Sequence, residues 1–185
     1  MEMDSFDKLK SECLKCTRCD LCKTRNNVVF GDGNEKAKIV FIGEGPGENE
    51  DLQGKPFVGR AGKLLDELLS LTGMDRTKVY ICNMVKCRPP QNRDPSPAEQ
   101  EACSEWLRRQ IEIIDPAIII CVGRIAATSL INPNFKITQQ HGEWFEIDGR
   151  KYMAVLHPAA LLRDPRKKPE TFADFQKIRK EALSL

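Results

Sequence analysis

Residues 117–123, Ala-Ile-Ile-Ile-Cys-Val-Gly, are apolar at every position up to the closing glycine. A strand with one wet face alternates apolar and polar residues. A run with no polar residue on either side needs cover on both, which is the situation of a central strand in a parallel sheet. Two other segments read the same way. Residues 38–43, KIVFIG, form a buried strand that stops at a glycine-rich turn, and residues 78–85, KVYICNMV, form a second strand. Between them, AGKLLDELLSLTG carries Leu64, Leu65, Leu68, Leu69 and Leu71 on one helical face, with Gly73 as its stop. After the loop RPPQNRDPSP, Ser96 caps a helix that has Pro97 in its first turn. That helix turns Trp106, Leu107, Ile111 and Ile114 inward and ends at Asp115-Pro116. RIAATSLI is a short helix, and EWFEIDGRKYMAVLHP is a strand, an Asp-Gly turn and a returning strand. Residues 170–183 close the chain with an amphipathic helix carrying Phe172, Phe175, Ile178 and Leu183.

Strands alternating with helices predict an α/β fold with a mainly parallel sheet covered on both faces. Ligands in such folds sit beyond the carboxyl ends of the strands. Three segments fall there: GEGPGENED from Gly43, NMVKCRPP from Asn83 and HPAALLRDP from His157.

The chain has 185 residues, 41% of them apolar and 30% charged, enough for one domain with a sizeable core. No apolar run approaches the ~20 residues of a membrane helix. The opening MEMDSFDKLK is charged and has no signal-peptide core, so a cytoplasmic protein is expected. In a reducing compartment the 8 cysteines are expected to be metal ligands or buried apolar residues rather than disulfides. The net charge of +2 gives no whole-protein field for nucleic acid. The basic run RDPRKK at Arg163 reads as a solvated turn.

Four cysteines, Cys13, Cys16, Cys19 and Cys22, stand three apart in CLKCTRCDLC. Cys82 and Cys121 lie inside apolar strands and read as small buried hydrophobes. Cys87 and Cys103 flank the proline-rich loop and could complete a four-thiolate site with two of the first four. Such a site suits zinc or an iron–sulfur cluster, and spacing does not choose between them. A bacterial ferredoxin needs a wider third gap and a following proline, where this chain has Lys23 after Cys22.

In GEGPGENED the glycines Gly43, Gly45 and Gly47 allow close approach of a ligand to backbone N–H groups. No Gly-Lys-Ser/Thr follows and the glycine spacing is not that of a dinucleotide fold. Glu44, Glu48, Glu50 and Asp51 would repel a phosphate-rich ligand. Asn83 ends a strand with one donor and one acceptor, a match for the O4 and N3–H edge of uracil or thymine and a mismatch for cytosine. Phe57 stands in a glycine-flanked loop where it could stack on a base. His157 ends a strand where it could donate to a developing anion. His141, in a polar loop, carries no claim.

Together, CTRCDLCKTR, VVFGDG, GEGPGENEDLQGKPFVGRAGKLL, NMVKCRPPQNRDPSPAE, Cys103 and HPAALLRDP resemble, in order and over nearly the whole chain, the family 4 uracil-DNA glycosylases of bacteria and archaea. The resemblance implies a three-layer α/β/α fold and a single domain over residues 1–185. It implies hydrolysis of the N-glycosidic bond of deoxyuridine in DNA, the start of base excision repair. It implies a structural [4Fe–4S] cluster on Cys16, Cys19, Cys87 and Cys103, with Cys13 and Cys22 outside the set.

By the same resemblance Phe57 stacks on flipped uracil, Asn83 reads its polar edge and His157 bonds O2. Backbone near Glu44, Gly45 and Gly47 lines the pocket. Leu161 fills the gap in the duplex and Arg163 contacts phosphate. In family 1 an aspartate stands at the position of Gly45, so Glu44 is the first candidate to position water, with Glu50 and Asn92 behind it. Family 1 places a methyl-excluding tyrosine at Gly47, a role that Glu50 is expected to take here. A related branch forms a covalent bond to the abasic sugar and carries a basic insertion. VGRAGKLL runs on without one, which favours hydrolysis with turnover. The expected partner is uracil-containing DNA, with no membrane, and the chain is expected to be a monomer. An iron–sulfur redox protein and a zinc-stabilised nucleic-acid-binding module are the alternatives.

Overall fold

A computed structural model describes residues 5–185, so the first four residues of the charged opening stretch and of the 1–185 domain reading lie outside it. The helices are α1 (Phe6–Cys13), α2 (Glu48–Gln53), α3 (Arg60–Leu71), α4 (Pro97–Ile114), α5 (Arg124–Leu130), α6 (Ile137–Gln140), α7 (Pro158–Arg163) and α8 (Lys168–Leu183). The strands are β1 (Asp32–Gly33), β2 (Ile39–Gly43), β3 (Tyr80–Asn83), β4 (Ile118–Val122), β5 (Phe145–Ile147) and β6 (Arg150–Val155).

They form one sheet in the order β1-β3-β2-β4-β6-β5. The four inner strands are parallel and the two edge strands antiparallel. Every residue of β2, β3 and β4 is buried, as the apolar runs of β2 and β4 require, and in β3 the polar Asn83 is buried with them.

Alternation along the strands divides the core in two. Val40, Ile42, Tyr80, Cys82, Ile119 and Cys121 face α1, α4 and α5, packing with Phe6, Trp106, Leu107 and Ala126. Ile39, Phe41, Ile81, Ile118, Ile120 and Val122 face α3, α7 and α8, packing with Leu65, Leu69, Leu161 and Phe175. The result is the three-layer α/β/α arrangement. Cys82 and Cys121 are buried strand residues, as their sequence context requires.

Ser96 accepts from Glu99 N at 3.1 Å and Glu99 accepts from Ser96 N at 2.8 Å, a capping box that starts α4. Asp115, in the left-handed region, ends that helix. One expectation fails at the terminus. Leu183 is 75% exposed and lies outside the core, because the apolar stripe of α8 ends with Phe175 and Ile178. Among the described residues, no helix is long and apolar enough to cross a membrane.

Candidate base-binding and cysteine sites

Parallel pairing carries on past β2 and β3. Met84 N donates to Gly43 O and Val85 N to Glu44 O, so the two strand ends leave the sheet together. They open a cavity of about 370 Å³ lined by Glu44, Gly45, Gly47, Glu50, Phe57, Asn83, Asn92 and His157, with Arg60 and Arg93 also on its wall. All eight sequence candidates for catalysis and base binding thus meet in one place.

Phe57 has a φ of 52°, a left-handed backbone that an aromatic residue rarely adopts. The strain is held from three sides. Gly62 packs so closely beneath it that a Cβ there would stand 1.9 Å from Phe57 O. A Cβ on Gly43 would stand 2.6 Å from the ring and 2.5 Å from Asn83 Oδ1. Arg76 donates from Nη1 to Pro56 O at 2.8 Å and from Nη2 to Phe57 O, while its Nε donates to Asp66 at 2.8 Å. Sequence reasoning missed Arg76, because nothing in the turn that carries it marks a partner 19 residues away. The Phe57 ring lies 5.9 Å from the His157 ring at a 31° tilt.

Asn83 is 2% exposed, and its Oδ1 is buried with no hydrogen-bond partner in the protein. A buried acceptor without a donor is costly, and a donor on a bound ligand relieves that cost. His157 caps α7 by accepting from Ala159 N at its Nδ1, at 3.1 Å. With Nδ1 accepting, the neutral ring carries its proton on Nε2, which remains a donor. Burial, helped by the nearby charge of Arg163, holds the His157 pKa down at about 4. Glu44 is half-buried, and burial first, then the neighbouring Asp94, raises its pKa against the opposing pull of Arg124 and Arg163.

Three expectations change. Glu50 is no free base: Oε1 accepts from Gly47 N at 3.1 Å, and Oε2 from Val58 N at 2.9 Å and Gly59 N at 2.8 Å. It braces the glycine-rich turn against the Phe57 loop. Asp51 likewise is no surface charge. It is buried and accepts from Asn26 N at 2.8 Å and Asn26 Nδ2 at 2.6 Å, tying α2 to the segment that follows the cysteines. Leu161 is 0% exposed and packs in the core against α3, so this structure does not present it at the surface. One position on, Leu162 is 37% exposed. Arg163 is exposed, as a phosphate contact requires. Asn92 lies on the cavity wall in the left-handed region, its Oδ1 accepting from Arg88 Nε at 2.7 Å. The loop that carries it is fastened by a two-pronged Arg93–Glu99 pair at 2.7 and 2.8 Å.

On the α1–α4 side, Cys16, Cys19, Cys22, Cys87 and Cys103 line a second, small pocket with Trp106, Arg25 and Lys86. N–H groups point at its sulfurs. Trp106 Nε1 donates to Cys16 Sγ at 3.2 Å, Lys86 N to Cys103 Sγ at 3.3 Å and Arg25 Nη1 to Cys87 Sγ at 3.4 Å. Donors and cations around sulfur suit thiolates, so these residues fit a thiolate-held group. Among the described residues, no three side chains of the metal-ligating types are gathered to hold one metal ion. Cys13 stands apart. It is buried in the core beside Leu9 and Leu21, and burial pushes its pKa up to about 12. The two cysteines left outside the expected ligand set therefore differ, since Cys22 reaches the pocket and Cys13 does not.

A sequence profile of the uracil DNA glycosylase superfamily matches residues 30–182, spanning the sheet and the whole cavity wall. The chain belongs to the uracil-DNA glycosylase superfamily. Within it, the chain is similar to proteins named type-4 uracil-DNA glycosylase. That of Archaeoglobus fulgidus is 48% identical over 95% of this chain and 92% of its own. That of Saccharolobus solfataricus is 49% identical over 98% and 88%. A type-5 uracil-DNA glycosylase of Pyrobaculum aerophilum is more distant, at 29% over 70% of this chain and 64% of its own. The superfamily match begins at Phe30, whereas the two type-4 relatives extend over the segment that carries the four N-terminal cysteines.

Proposed function

We propose that this glycosylase removes uracil from DNA by hydrolysing the N-glycosidic bond of deoxyuridine, leaving an abasic site for base excision repair. The observation that carries the reading is the unpartnered Asn83 Oδ1 on the wall of a cavity where His157 keeps a donor free. Uracil offers N3–H to Asn83 Oδ1 and accepts from Asn83 Nδ2 at O4. Cytosine offers the reverse at both atoms and leaves two groups unpaired.

The base leaves the stack at a cost of a few kcal/mol and stacks on Phe57. As the glycosidic bond lengthens, negative charge gathers on the uracil and positive charge on the sugar. His157 Nε2–H donates to O2, and its low pKa keeps the ring neutral, so Nδ1 goes on accepting from Ala159 N and holds the ring in place. Glu44 holds the attacking water, and burial raises its basicity for that role. Backbone at Gly45 and Gly47 lines the pocket, while Glu50 fixes the two loops rather than touching water. Leu162 replaces Leu161 as the side chain that fills the gap in the duplex, and Arg163 contacts phosphate. A 5-methyl group is excluded by the braced Gly47–Glu50 turn.

Cys16, Cys19, Cys87 and Cys103 are assigned to a [4Fe–4S] cluster, with Cys22 beside it. The cluster supplies a covalent tie between the N-terminal segment, the loop after β3 and α4, and it takes no part in bond cleavage. Residues 1–185 are proposed to act as one domain, a cytoplasmic monomer on chromosomal DNA. Incubation with a single-uracil oligonucleotide followed by alkali tests the activity, and strand breaks at the uracil are expected. Intact strands would refute the proposal. Iron and sulfide analysis of anaerobically purified protein tests the cluster, and zinc in their place would favour the zinc-stabilised alternative.

A further inference from the structure

Lys86 is 1% exposed, and among the described residues no carboxylate pairs with it. Its Nζ donates to Asn83 O at 2.9 Å and stands 6.0 Å from the centre of the Phe30 ring. Both are dipolar partners and neither is a counter-charge. A buried ammonium without one is strongly unfavourable. The acidic groups it shares a pocket with are thiols. Lys86 lines the cysteine pocket, and its own N–H bonds Cys103 Sγ at 3.3 Å. Four thiolates around a doubly positive core leave two net negative charges. Among the described residues, two cations on the pocket lack carboxylate partners: Arg25, bonded to Cys87 Sγ, and Lys86. Arg25 ends on sulfur and on Cys16 O, whereas Lys86 ends on the backbone of the base-reading residue.

We propose that Lys86 is the internal counter-ion of the thiolate-held group and, through Asn83 O, makes the placement of the base-reading amide depend on that group. The inference rests on the assignments of the cysteines and of Asn83 given above. It makes Lys86 a positioning residue, since it touches neither DNA nor uracil. Loss of the group would strand a positive charge beneath the end of β3, and the strand end would shift to expose it.

The test uses wild-type protein, Lys86→Met and Lys86→Gln, all purified anaerobically. Iron release to a chelator is followed in time, and free uracil binding is measured by calorimetry on iron-loaded protein. Both variants lose the charge, so each is expected to release iron about tenfold faster. Lys86→Met also loses the bond to Asn83 O and is expected to bind uracil about tenfold more weakly. Lys86→Gln keeps a donor and is expected to stay within about threefold of wild type.

Wild-type iron release in both variants would overturn the counter-ion role. Faster release with wild-type uracil affinity in Lys86→Met would overturn the tie to Asn83. Should Lys86→Met fail to fold, Lys86→Gln decides the first point. Wild-type protein stripped of iron decides the second, with weaker uracil binding expected and unchanged affinity contradicting the tie. Wild-type protein that carries zinc would refute the cluster but not Lys86, and zinc release would then be followed instead. Protein with no metal would overturn both.

Discussion

The base pocket and the cysteine pocket lie on either side of one stretch, residues 83–87, yet they are built by different means. The base pocket is open, about 370 Å³, and made of strand ends and two braced turns. Its precision comes from backbone: a left-handed Phe57, glycines that let the ring and Asn83 close in, and the Glu50 and Arg76 braces. The cysteine pocket is small and made of side chains from three separate segments. Its braces are few, chiefly the donors on its sulfurs, the Arg25 bond to Cys16 O and the Arg18 contacts with Glu105 and the Trp106 ring, so its cohesion leans on what the thiolates hold. A preformed site tolerates loss of a ligand, whereas a site held by its ligand does not.

The largest effects are expected where the base pocket does chemistry. Glu44→Gln should lower kcat by roughly 10²–10⁴, the usual worth of a general base. The wild-type rate should fall as pH drops through the raised Glu44 pKa, because the carboxylate must be ionised to hold water. The limb should vanish in Glu44→Gln. His157 should add no limb near 6.5, since its pKa is about 4 and the ring stays neutral above that value. Stopped-time uracil release across pH checks both. His157→Ala should cost roughly 10²–10³ in kcat, as removal of one oxyanion donor does. Neither change should move metal content. An equal loss of iron in these variants would erase the distinction between the two pockets.

Mutations at the other pocket should act in the opposite sense. Cys16→Ala and Cys19→Ala should remove the visible absorbance of the cluster and lower the melting temperature, while Cys13→Ala and Cys22→Ala should keep the absorbance. Cys22 is the sharper control, because it lines the same pocket as the expected ligands. If Cys22→Ala loses the cluster and Cys19→Ala keeps it, the ligand register is shifted. A smaller contrast lies within α7. Leu161→Ala should cost about 2–5 kcal/mol of stability by denaturant unfolding, as for a buried leucine. Leu162→Ala should leave stability alone and slow excision several-fold from duplex but not from single strands.

The layers were legible in the sequence because β2 and β4 are apolar without interruption, β3 is apolar up to Asn83, and α3 and α4 carry helical stripes. The two-residue β1 and the six-residue α2 and α7 were not, since their lengths give periodicity too little room. The Leu161 role came from the family resemblance, which does not report on burial. In a helix so short, one position decides between core and solvent, and only packing against α3 fixes it. The candidate site was legible as motifs at strand ends, but the duties within it were not. Glu44, Glu50 and Asp51 look alike in GEGPGENED, and burial and backbone amides alone separate a poised carboxylate from a brace and an anchor. Arg76 carried no signal, because it acts on backbone carbonyls about 20 residues away that only the fold brings near, and Lys86 carried none because its burial shows only in the fold.

The central claim is that Asn83 and His157 read uracil in a pocket formed before the base arrives. It is tested most directly by base selectivity at one position of a duplex, with wild type and Asn83→Asp assayed side by side on uracil, cytosine and thymine opposite guanine. Wild type should release uracil alone. Asn83→Asp should lose roughly 10- to 100-fold on uracil, because a carboxylate cannot donate to O4, and should narrow the gap to cytosine. Wild-type discrimination retained in Asn83→Asp, or no uracil release by wild type, would contradict the account.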